Sequence, residues 1–128
     1  FAGVKGELGK VVAGGAMMGP AVENLSYPTT KTTSGLIMLS AAAAEPPQVN
    51  PCIRCGRCVE YCPMGLEPVE VNQAYAARDV QELGKLHVDY CFNCGSCTFV
   101  CPAKRPCTQM MGLAKAFYLG EIKKGGNK

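Results

Sequence analysis

The chain has 128 residues, a formal charge of +3 from 13 basic and 10 acidic side chains, and no Trp. That length allows one modest domain or two small ones. The small positive excess is not gathered into a run and few aromatic rings accompany it, which argues against a nucleic-acid binder; the longest apolar run, about nine residues around LIMLSAAAA, falls far short of the roughly 20 that a membrane-spanning helix needs.

The sequence begins at Phe1 and runs at once into GVKGELGKVVAGG, without the charged and apolar regions of a secretory signal. It reads as a piece of a longer polypeptide, soluble or peripheral at most. Residues 1–45 contain no cysteine and are rich in Gly, Ala, Thr and Met. KVVAG and GLIMLS have the composition of short strands, while GGAMMGP and TTKTTSG have that of turns. Two or three short strands cannot close a core alone, so residues 1–45 are expected to be the C-terminal remnant of an upstream β-containing domain. A phosphate loop at GGAMMGP is the alternative, although it departs from G-x-G-x-x-G and Pro20 blocks a following helix. Residues 46–51, with three prolines in and around PPQVNP, read as a linker.

From Cys52 the chain repeats itself. CIRCGRCVEYCP is answered by CFNCGSCTFVCP, 39 residues later, and both read C-x2-C-x2-C-x3-C-P. All nine cysteines lie between Cys52 and Cys107. An extracellular disulfide framework needs a secretory context that the sequence does not offer, so clustered thiols point to metal or redox work. The spacer between the copies is helix-friendly, with Pro68 suited to a first turn and Val71, Ala74, Tyr75 and Arg78 at helical spacing. Asp79 is placed to cap a second short helix around Leu83 to Leu86, expected to break at Gly84. After the second copy, Met110, Leu113, Ala114 and Phe117 mark an apolar helical stripe of the kind that packs in a core. The terminal GGNK reads as a frayed end.

The spacing carries the chemistry. C-x2-C-x2-C wraps three corners of a [4Fe–4S] cube, and in two-cluster ferredoxins the fourth cysteine of the run ligates the other cube. The doubled run therefore predicts two [4Fe–4S] clusters with crossed ligation. Cys52, Cys55, Cys58 and Cys101 form the first set, and Cys91, Cys94, Cys97 and Cys62 the second. Neither cube forms unless the two copies meet, so metal binding and folding are coupled. Gly56 and Gly95 are expected to relieve a tight loop, Pro63 and Pro102 to turn the chain away, and Ile53, Val59, Phe92 and Val100 to shield the clusters from water. A [4Fe–4S]²⁺ core with four thiolates carries about −2, so two would turn the chain slightly negative. Arg54, Arg57, Lys104 and Arg105 either offset that charge, form a docking rim for an acidic partner, or make an ordinary solvated face. Structural zinc is the rival: it takes two C-x2-C pairs, which two runs of four overshoot. A thioredoxin-type dithiol needs a βαβ context that is absent. Cys107, the ninth cysteine, reads as a small buried apolar residue, and His87, the single histidine, as a helix-end residue.

With these motifs in hand the chain resembles a family. GGAMMG, TKTTSGLIML, PCIRCGRCVEYCPMGL, CFNCGSCTFVCPAKRP and the following Gln109 are similar to the C-terminal part of the C subunit of Rnf electron-transport complexes, over roughly residues 10–115. The resemblance implies a peripheral protein on the cytoplasmic side of a membrane complex that exchanges electrons between ferredoxin and NAD, coupled to ion transport. It implies that NADH and FMN bind an upstream region, that an SLBB-type β domain precedes the cluster domain, and that another protein of the complex, itself an iron–sulfur protein, takes the electrons. On that reading the present stretch is an electron carrier that does not turn over NADH alone. Cobalamin reductases of bacterial microcompartments share a similar plan. The family usually has an aliphatic residue where this chain has Cys107. The expected fold is mostly α: residues 52–124 as an α-helical two-cluster ferredoxin module, like that in the iron–sulfur subunits of fumarate reductases, with the short βαβ ferredoxin as the alternative.

Overall fold

The computed structural model describes residues 4–125. The chain forms two compact units, Phe1–Pro47 and Gln48–Lys128.

In the first unit, β1 (Leu8–Ala13) and β2 (Leu36–Ser40) pair antiparallel, with Val11 opposite Met38 and Val12 opposite Ile37. β2 shows the two-residue alternation of a half-covered strand: Ile37 and Leu39 are partly buried and their neighbours are exposed. Ser40 ends the strand and caps a single helical turn, α1 (Ala41–Ala44), by accepting the Ala43 N–H. GGAMMGP makes the expected turn, over residues 16–18, and no helix follows it. It folds back on β1, where Ala13 N–H donates to Pro20 O at 3.0 Å and Val22 N–H to Val11 O at 2.8 Å. A Cβ at Gly19 would lie 2.5 Å from the Ala13 carbonyl oxygen and 2.6 Å from Val12 Cγ1, so this close return needs glycine. Val11 and Val12 are the buried hydrophobic residues of this unit, while Met17, Met18, Leu36 and Met38 are exposed.

Every regular element described in the second unit is helical: α2 (Arg57–Glu60), α3 (Pro68–Ala76), α4 (Val80–Lys85), a 3-10 turn (Val88–Tyr90), α5 (Ser96–Phe99) and α6 (Cys107–Gly125). Pro68 opens α3, where its missing N–H is no loss. Asp79 caps α4 by accepting the Glu82 N–H at 2.9 Å. The expected break at Gly84 does not occur, because α4 runs through it to Lys85. The glycine serves a close approach instead: a Cβ there would stand 3.0 Å from the Tyr118 hydroxyl of α6.

The core lies among α3, α4 and α6 and contains Leu66, Val71, Ala74, Leu83, Val88, Met111 and Ala114. Burying side chains the size of Leu83 and Met111 stabilises by roughly 1.5–3 kcal/mol each. Arg78 lies over the rings of Tyr75 and Phe117, which themselves meet edge to face; this sandwich fastens α3 to α6. The expected stripe on α6 holds at Ala114 and at Phe117, which packs against the core, but not at Met110 and Leu113. Met111 and Ala114 face the core, Met110 is only partly buried, and Leu113 is 52% exposed. Apolar residues occupy both registers of this helix, so spacing alone does not choose between them. His87 follows α4 in a left-handed conformation and stacks on Tyr90. The expected frayed GGNK lies almost wholly outside the described residues.

Candidate metal centre

The two cysteine runs fold into the same backbone. Left-handed residues recur at matched places: Arg54 and Asn93 (φ 53 and 56), Gly56 and Gly95 (φ 77 and 89), Gly65 and Lys104 (φ 64 and 54). In each copy the glycine carbonyl accepts the N–H groups of the last two residues of a one-turn helix, Val59 and Glu60 in the first copy, Thr98 and Phe99 in the second. The last cysteine then accepts the closing N–H, from Gly65 to Cys62 and from Lys104 to Cys101. A Cβ at Gly56 would meet nothing within 4 Å, so the glycine answers the backbone angle and not a crowded neighbour. The matching extends to the following helices, since Pro68 of α3 and Cys107 of α6 are also 39 residues apart and each opens its helix.

The thiols sort into two cavities. The first, about 270 Å³, is lined by Cys52, Cys55, Cys58 and Cys101, with Cys107 beside them. The second, tighter at about 20 Å³, is lined by Cys62, Cys91, Cys94 and Cys97. The fourth cysteine of each run thus lines the cavity of the other run. The two sites adjoin, because Cys58 of the first and Cys97 of the second belong to one buried cluster with Cys107, against which Cys101 and Val69 pack. All nine cysteines are free thiols. Among the described residues no three His, Cys, Asp or Glu side chains converge as they would around one metal ion; a zinc site draws its four sulfurs to about 2.3 Å of a single point. Four thiols spread around a cavity suit a cluster of several metal and sulfide atoms, and that donor set is what a [4Fe–4S] group requires.

Burial pushes the Cys58 and Cys97 thiols up from their ordinary range. Burial, followed by the neighbouring Cys101, Cys97 and Cys58, pushes Cys107 to about 12. Ligation of Cys58 and Cys97 therefore releases protons. Thr108 Oγ1 lies 3.5 Å from Cys97 Sγ, and its backbone N–H is held by Thr98 Oγ1 at 2.8 Å. Arg54 N–H donates to Cys52 Sγ at 3.4 Å and Leu66 N–H to Cys62 Sγ at 3.3 Å. Lys115 Nζ donates to the Cys91 carbonyl at 2.6 Å and ties α6 to the second loop.

The cover expected from Ile53, Val59, Phe92 and Val100 is not what the fold provides. Ile53 touches the first cavity but is 68% exposed; Val59, Phe92 and Val100 are not among the residues lining either cavity. The apolar walls come from the helices: Val69, Ala76 and Met110 at the first cavity, Leu66, Pro68 and Met111 at the second. Arg54, Arg57 and Arg105 line the first cavity, whereas Lys104 does not. Sequence reasoning missed Asn72, which lines the first cavity and whose Oδ1 is buried without a hydrogen-bond partner. An amide inside an apolar helical stretch, one position after Val71, was the available signal. A buried acceptor left unpaired costs roughly 1–3 kcal/mol.

Comparison with known proteins agrees with this geometry. Residues 51–104 match the family described as the 4Fe-4S dicluster domain. The chain is 42% identical over 77 residues to the C subunit of the ion-translocating oxidoreductase complex of Rhodobacter capsulatus, covering 60% of this chain and 15% of that protein. It is 44% identical over 66 residues to the C subunit of the proton-translocating ferredoxin:NAD(+) oxidoreductase complex of Clostridium ljungdahlii, covering 52% of this chain and 14% of that protein. It is 37% identical over 78 residues to the Na(+)-translocating counterpart of Acetobacterium woodii, covering 61% of this chain and 17% of that protein. The chain therefore spans about 15% of the length of such a relative. Residues 51–104 match the 4Fe-4S dicluster domain family, and across that segment and its flanks the chain is similar to the C subunits of ion-translocating oxidoreductase complexes.

Proposed function

We propose that the second unit is an electron-relay module with two [4Fe–4S] clusters, one held by Cys52, Cys55, Cys58 and Cys101 and the other by Cys91, Cys94, Cys97 and Cys62. The observation that carries this reading is that the eight thiols of the two runs line two cavities, four at each, with the last cysteine of each run at the cavity of the other and Cys107 as a fifth thiol at the first. Such a cluster supplies one-electron oxidation and reduction at a potential its surroundings adjust. The chain's own part is positional. The left-handed residues bend each loop so that three sulfurs face one cavity. The one-turn helices α2 and α5 carry Cys58 and Cys97 inward, and the buried contact of these two with Cys107 keeps the sites adjacent, as a relay requires. Val69, Met110, Leu66 and Met111 exclude water from the inner walls.

In the full-length protein we infer a place in a membrane-associated ferredoxin:NAD oxidoreductase complex of the Rnf type, peripheral on the cytoplasmic side. Electrons pass between a flavin site and another iron–sulfur protein of the complex. FMN and NADH chemistry belongs on this reading to other parts of the full-length protein. Residues 1–45 belong to an upstream β-containing region; the small number of buried residues and the exposed Met17, Met18 and Met38 support a face that something else covers. No helix of the described residues is long and apolar enough to cross a membrane. Anaerobically prepared protein tests the reading through its iron and sulfide content and its EPR spectrum. About eight irons per chain and two reducible centres are expected for two cubes; about two zincs without iron would sink it.

A further inference from the structure

The repeat makes the two cavities comparable position by position, and one difference between them is an amide on the first of the two following helices. Positions 72 and 111 are 39 residues apart and each lines the cavity beside its own helix. In the second cavity this place is taken by Met111, 1% exposed and part of the apolar core. In the first it is Asn72, whose Oδ1 is buried and unpartnered. Packing at this register is thus satisfied by an apolar side chain, and the amide needs another reason. The Oδ1 and Nδ2 halves of an amide are nearly the same shape and are assigned from their hydrogen bonds. Half a turn about the last bond brings a donor to where the orphan acceptor now lies. A donor is what a negatively charged sulfide or thiolate in that cavity accepts from.

We propose, resting on the cluster reading above, that Asn72 is a positioning residue of the first site: its side-chain N–H donates to the group held by Cys52, Cys55, Cys58 and Cys101 and raises the reduction potential of that site alone. The hydrogen bond gains strength as negative charge accumulates, so it favours the reduced form. The second site has no amide at this place and relies on the Thr108 hydroxyl near Cys97, at the position that Val69 occupies in the first.

The test is an EPR-monitored redox titration of the iron-loaded chain and of Asn72→Leu, with Cys55→Ser identifying which signal belongs to the first site. The expected result is a lower midpoint for the first centre and an unchanged midpoint for the second, at unchanged iron content. Asn72→His, which keeps an N–H donor, should return the first midpoint toward that of the parent. Unmoved midpoints in Asn72→Leu, or equal movement of both, would overturn the proposal; so would loss of iron in both Asn72 variants, which would make the residue a packing element. A parent protein without reducible centres would instead defeat the cluster reading itself, a separate outcome.

Discussion

The two cysteine runs share a backbone and differ in their surroundings. In the first, Cys52 and Cys55 are exposed and the cavity is wide and bordered by Arg54, Arg57 and Arg105. In the second, Cys91 and Cys94 are half-buried and the cavity is narrow, with Leu66, Pro68 and Met111 in its walls. Equal loops in unequal walls separate two jobs. The run sets where the sulfurs point, and the helices that follow set what the sulfurs feel. Solvent and guanidinium charge act on the first site, while apolar burial and hydroxyls from Ser96 and Thr108 act on the second. On the proposed reading this difference would give the two sites different potentials, because cluster potentials are tuned by hydrogen bonds and exposure.

The largest expected effect concerns both regions together. The apolar core is small and, on the proposed crossed ligation, each site takes a ligand from the other run, so stripping iron with an anaerobic chelator should abolish most of the helical circular-dichroism signal of the second unit. Retention of a cooperative melt would show that the core stands without metal. The crossing itself is tested next. Cys101→Ser should remove the same EPR signal as Cys55→Ser, and Cys62→Ser the other, with iron falling from about eight toward about four per chain. If Cys62→Ser and Cys55→Ser affect one signal, ligation is not crossed. Leu83→Ala should destabilise by about 2–5 kcal/mol, whereas Leu113→Ala, on the exposed side of α6, should stay within about 0.5 kcal/mol; chemical denaturation of iron-loaded protein reads both. Gly56→Ala should cost about 1–2 kcal/mol, from its left-handed backbone alone, since no neighbour obstructs a methyl group. Cys107→Val should keep full iron content and shift stability by less than about 1.5 kcal/mol. A fall in iron would make Cys107 a ligand.

Much of the site was legible in the sequence because the signals are local. The x2 and x3 intervals, the glycine after the second cysteine and the proline after the last act through bonds close along the chain, and they reappear as matched left-handed residues at 54 and 93, 56 and 95. Pro68 and Asp79 were legible as helix starts for the same reason. The walls were not. Ile53 and Phe92 look like shields in sequence, yet both are exposed, and Phe92 lines neither cavity. The α6 stripe could be read in two registers, and packing against Leu83 and Val88 selected Met111 over Met110. Gly84 looked like a helix end until Tyr118 came down on it.

The sequence by itself determined the ligand type, the repeat and the local turns, because these depend on residue chemistry and on backbone angles within a few residues. The tertiary structure alone decided that Cys58, Cys97 and Cys107 form one buried cluster, and that Asn72 lies where Met111 lies in the other half. Those are contacts between segments about 40 residues apart. They are set by how α3, α4 and α6 bury their apolar faces together, a property of the packed whole that no short stretch contains.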